Sequence, residues 1–118
     1  MGTVANVAVG LVAALHLYFL VLEMFLWNKP YGRKTFGLTP EFAAASASLA
    51  ANQGLYNGFL AAGLIWGLIL GRSAGFDIKL FFLSCVIIAG IYGAITANRK
   101  ILFIQAIPGL IALVLLHL

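Results

Sequence analysis

Hydrophobic and polar positions segregate on a coarse scale, into four long apolar stretches separated by three short charged ones. The first apolar stretch runs from about Val4 to Trp27 and holds two strongly polar side chains, His16 and Glu23. At about 1.5 Å of rise per residue, a helix of that length spans a hydrocarbon core of roughly 30 Å. Trp27 closes it as an amphipathic ring suited to the membrane interface. The basic turn Asn28-Lys29-Pro30-Tyr31-Gly32-Arg33-Lys34 follows. The second stretch covers 40–70, longer than one crossing needs, so its first turns through 43–48 are expected to protrude or the helix to tilt strongly. After the turn Gly71-Arg72-Ser73-Ala74-Gly75, the third stretch covers 76–97, with Asp77 and Lys79 near its start. Asn98-Arg99-Lys100 precedes the fourth, 101–118, which is short and carries Pro108-Gly109. A proline inside a helix lacks the N–H of the ladder and predicts a bend or a widened turn.

The expected fold class is therefore an all-α membrane protein of one domain. Four transmembrane helices (about 4–27, 40–70, 76–97 and 101–118) would form an up-down bundle with short loops. Thr39-Pro40-Glu41 is a strong helix start: a capping hydroxyl, a proline suited to the first turn and a carboxylate at the positive helix end. Small residues recur four apart along the second helix, Gly54 with Gly58 and Ala62, and Gly63 with Gly67 and Gly71. Ala89, Gly93 and Ala97 repeat the spacing on the third, beside Gly90. Such stripes let helix backbones approach closely, which assigns Gly54, Gly58, Gly63, Gly67, Gly90 and Gly93 to helix packing and makes the second helix central.

Composition sharpens the membrane reading. Of 118 residues 64% are hydrophobic and 8% charged, and the mean hydropathy is +1.09, values a soluble domain of this size does not reach. The formal charge of +4 is distributed between the apolar segments rather than clustered on a polar face, so it orients helices and argues against nucleic acid. Lys29, Arg33, Lys34, Arg99 and Lys100 fall in the first and third loops, against Arg72 and Lys79 at the second. This bias predicts a multi-pass protein with loops 28–39 and 98–100 cytoplasmic and both termini outside. The first residues carry no Lys or Arg and lead into a run too long for a signal-peptide core, so no cleaved signal is expected. Cys85 reads as a small packing residue.

The candidate chemistry centres on Asn52-Gln53-Gly54-Leu55-Tyr56-Asn57-Gly58, which puts three amides and a phenol into an apolar helix. Uncompensated polar groups are costly there and need partners or a role. Counting inward from the outer ends of the four segments, about 20 Å reaches His16, the Asn57–Gly58 step and Gln105, and about 30 Å reaches Glu23, Asn52 and the Thr96–Asn98 region. The shared depths suggest one polar pocket, with His16, Glu23, Asn52, Gln53, Tyr56, Asn57, Tyr92 and Gln105 as ligand-binding candidates. His16 and Glu23 are seven residues apart on one helix face, separated by about 10 Å of backbone, so only a bridging group could join them.

Three functions fit that pattern. The leading one is binding or transport of a small cationic or amphiphilic solute, with Glu23 exchanging proton for cation. So short a chain rarely encloses a transport path alone, so a homo-oligomer in contact with membrane lipids is expected. The alternative is an enzyme with isomerase-like acid–base chemistry on a lipid-soluble substrate, catalysed by Glu23 and His16. The third is a structural or adaptor subunit in which the amides bond helices together. No metal is expected, since His16 and Glu23 are wrongly spaced for shared coordination, and no motif for a cofactor is present.

The segments His16-Leu17-Tyr18 through Glu23-Met24-Phe25-Leu26-Trp27, the amide-rich block 52–58, Gly90-Ile91-Tyr92-Gly93 and Gln105-Ala106-Ile107-Pro108 together resemble the bacterial and fungal family catalogued as domain of unknown function 1304. The resemblance covers nearly the whole chain. It implies a small four-helix inner-membrane protein and supplies no catalytic residue.

Overall fold

A computed structural model describes residues 2–118, and the apolar stretches are helical in it. Helix α1 spans Gly2–Met24, α2 Pro30–Phe36, α3 Pro40–Ala74, α4 Phe76–Thr96 and α5 Ile107–His117, with a π-helical turn, Leu102–Ala106, leading into α5. The chain divides into two compact units. One is the N-terminal part through Ala14 with Leu60–Leu118, and the other is Leu15–Phe59. The division falls within α1 and α3.

Proline chemistry sets several boundaries. Pro30 disfavours helical backbone in the residue before it, and Lys29 is accordingly extended (φ −102°, ψ 160°). The first long helix ends at Met24, and Pro30 opens α2 at the position where a missing N–H costs nothing. The basic turn expected at 28–39 therefore contains a short helix. Gly37 ends α2 in the left-handed region (φ 66°), while the Leu38 N–H returns to the Arg33 carbonyl at 2.8 Å. Helix α3 then starts at Pro40, and the Phe42 N–H donates to Thr39 Oγ1 at 3.2 Å, the cap that the Thr-Pro-Glu signal specifies.

The four-span up-down architecture is corrected. Among the described residues there are five α-helices, and three are long and apolar enough to cross a membrane: Gly2–Met24, Pro40–Ala74 and Phe76–Thr96. The fourth apolar segment is helical only over Leu102–His117. At about 1.5 Å per residue this reaches roughly 24 Å, short of a hydrocarbon core of roughly 30 Å. Pro108 is the local cause of its irregularity. It cannot donate to the carbonyl four residues back, and the turn before it widens so that the Ile107 N–H bonds to the Leu102 carbonyl. Removing the fourth crossing removes the basis for placing both termini on one side.

In the larger unit, Val9, Val12 and Ala13 of α1, Leu64 of α3, Leu83 and Val86 of α4 and Ala112 of α5 form the buried core. Close approach brings small residues to its contacts: Gly90 lies against the backbone of Ala106, Gly93 against Ile101 and Gly63 against the Phe82 ring. At Gly71 (φ 91°, ψ −173°) α3 leaves helical geometry just before the turn to α4, a conformation that only glycine adopts without strain.

Candidate functional site

Within the Leu15–Phe59 unit, two glycines on one face of α3 set the distance to α1. A Cβ at Gly54 would stand 2.7 Å from Met24 Cγ and 3.0 Å from Glu23 Cβ, and one at Gly58 would stand 2.6 Å from Leu20 Cδ1. At Gly54, where the Leu20 carbonyl also stands 3.2 Å away, the helices are too close for a larger residue without a shift, whereas at Gly58 the tip of the Leu20 side chain would have to give way. This approach brings Asn57 against Glu23: Asn57 Nδ2 donates to Glu23 Oε1 at 2.5 Å across 34 residues of sequence. Both side chains are half-buried. A hydrogen bond to an ionised carboxylate in such surroundings is stronger than one between neutral groups, because water competes less.

The remaining candidates sit differently. His16 is fully enclosed, with its ring edge-on to Phe19 at 5.4 Å. Asn52, Gln53 and Tyr56 are exposed on α3, and Tyr56 keeps 58% of its surface open beside Phe59. Tyr92 and Gln105 belong to the other compact unit, where Tyr92 is 69% exposed and Gln105 is half-buried in the π turn. The structure thus joins Glu23 to Asn57 and turns Asn52, Gln53 and Tyr56 outward from their helix. Of the glycines assigned to packing, Gly54 and Gly58 face α1, while Gly67 faces the Lys79 stem.

Several polar contacts were not anticipated. Trp27 Nε1 donates to Ser46 Oγ at 3.0 Å while its ring lies on Phe36, and the Tyr18 and Tyr31 hydroxyls are 2.6 Å apart. These pairs tie Trp27 to α3 and the start of α2 to α1, and nothing in residue spacing signals them. Lys79, which reads as a charge near a helix start, is 2% exposed. Its place between Ile78 and Leu80 inside an apolar run was the available signal. Among the described residues no three His, Cys, Asp or Glu side chains converge as a metal site would need.

Helices of this length and apolarity, broken by basic loops, define a multi-pass all-α membrane protein. The chain belongs to the family described as protein of unknown function (DUF1304), whose profile matches residues 10–117. It is 30% identical over 115 residues to a protein of Lactococcus lactis subsp. lactis (strain IL1403), "Uncharacterized protein YpaA", covering 95% of this chain and 96% of that one. No solved structure matches the chain.

Proposed function

We propose that the protein binds a small cationic or amphiphilic solute through the Glu23 carboxylate and carries it into or across the bilayer. The observation that supports this is the Asn57–Glu23 hydrogen bond, which holds a half-buried carboxylate by one oxygen. A carboxylate offers about four acceptor sites, and the described residues occupy one of them. Asn57 orients the group and leaves Oε2 to meet a cation. An acidic side chain on a membrane-length helix is a binding or proton-exchange group by default. His16 is enclosed against Phe19, which favours a carboxylate acting alone over acid–base catalysis by the pair. The location we infer is the bacterial inner membrane, with the basic stretch 28–39 toward the cytoplasm, on the strength of Lys29, Arg33 and Lys34.

One further reading has a specific observation behind it. Asn52, Gln53 and Tyr56 are exposed on a membrane-length helix, and such amides bond readily to another helix. A homo-oligomer or an adaptor role would use that face, and it is compatible with solute binding at Glu23.

Proteoliposomes carrying the full chain and the amphiphilic cation ethidium test the leading reading. Uptake above that of empty vesicles is expected, with a drop of about ten-fold in Glu23→Gln, the loss of a charge contact worth about 1.4 kcal/mol. Equal uptake by empty vesicles, or by Glu23→Gln, would overturn it.

A further inference from the structure

The larger unit contains a cavity of about 600 Å³ at the α3–α4 turn, lined by Arg72, Ser73, Asp77 and Lys79 together with Asn6 and the end of α5. The side chains of Arg72, Lys79 and Asp77 bring two cations and one carboxylate, and His117 and Leu118 also line it. Lys79 is the deep member. It retains 2% of its surface, and its stem passes so close to α3 that a Cβ at Gly67 would stand 2.5 Å from its Cγ. Its backbone N–H bonds to the Gly75 carbonyl, but its ammonium has no hydrogen-bond or ion-pair partner among the described residues. Arg72 is exposed at the rim, with Nη1 3.7 Å from the position of a Cβ on Gly2. Helix α4 begins here too, and the positive end of a 21-residue helix adds to the field.

The Lys79 stem is packed away while its nitrogen stays accessible where the residue lines the cavity, and a cation placed so, without a counter-charge from the described residues, attracts an anion supplied from outside. Asp77 is exposed and makes no ion pair among the described residues, so it does not neutralise Lys79. The volume exceeds what a bare ion fills, and Phe76, Leu115 and Leu116 give the cavity an apolar wall. We infer that this cavity binds a phosphate group carried on an organic residue, with Lys79 as a point charge in the cavity wall and Arg72 as a forked donor at the mouth. The site is separate from the Glu23 reading and does not depend on it. A phospholipid headgroup and a free phosphate monoester present the same chemistry.

The test uses the full chain in dodecyl maltoside, with native mass spectrometry of phosphatidylglycerol against diacylglycerol and, separately, titration with glycerol 3-phosphate. Preferential retention of phosphatidylglycerol is expected, falling about ten-fold in Lys79→Met and in Arg72→Gln, as loss of a charged phosphate contact implies. Asp77→Asn is expected to retain more, because a like charge is removed from the mouth. Competition by glycerol 3-phosphate identifies the free ester as ligand, whereas retention of lipid alone identifies the headgroup, and either supports the site. Equal retention of phosphatidylglycerol and diacylglycerol with no response to glycerol 3-phosphate would overturn it. So would unchanged binding in Arg72→Gln, whose exposed position keeps the fold intact and decides the matter if Lys79→Met fails to fold.

Discussion

Glu23 and Lys79 are both drawn at least partly out of solvent on helices long and apolar enough to cross a membrane, but among the described residues Glu23 has a hydrogen-bond partner and the Lys79 ammonium has none. Around Glu23, Gly54 and Gly58 allow the helices so near that Asn57 reaches the carboxylate. Around Lys79 the same device, Gly67, makes room for the aliphatic stem and provides nothing for the ammonium. Close helix approach is therefore compatible with two outcomes for a buried charge, a fixed internal partner or an unanswered one. The second is the stronger sign of a ligand, because the charge lines a cavity and no described residue answers it.

The contrast breaks most readily at the glycine. Gly54→Leu forces a side chain into the Met24 and Glu23 contacts, and a loss of about 3 kcal/mol in unfolding free energy is expected from overpacking, read by denaturant titration in mixed micelles. A smaller but more specific effect follows from Asn57→Leu, which leaves Glu23 without its donor. About 2 kcal/mol should be lost, while Glu23→Gln, which keeps an acceptor for Asn57, should lose less than half of that. Equal losses in both variants would mean that the hydrogen bond is immaterial to the helix contact. The smallest effect has the opposite sign. Lys79→Met keeps the stem and removes the unpaired charge, so the ligand-free protein should gain about 1 kcal/mol in the same assay. If Lys79→Met were instead as destabilising as Asn57→Leu, the ammonium would have a stabilising partner and the contrast would disappear.

Much of the local structure was legible. Pro40 after Thr39 marked the start of α3, and Pro108 marked the place where the last apolar segment departs from regular helix. What misled was the count of crossings: Ile101 to Leu118 is apolar throughout, and composition alone made it a fourth span. Its helical part, Leu102–His117 with the π turn included, is too short to qualify as a span. The polar block 52–58 was equally visible, and in the structure Asn57 meets Glu23 while Asn52, Gln53 and Tyr56 are exposed.

That division could not have been read from spacing. A membrane helix is apolar on nearly every side, so the polarity pattern that tells a soluble helix which face is buried is almost absent here. Sequence by itself determined the membrane class, the long helical segments, the basic stretches and the cap at Thr39, since each depends on local chemistry and on length against bilayer thickness. Only the tertiary structure decided that Asn57 meets Glu23, that His16 is enclosed and that Lys79 is buried beside a cavity. Those facts depend on the rotation and separation of helices whose partners lie far along the chain, where a single missing Cβ moves one backbone close enough to another to choose which side chains touch.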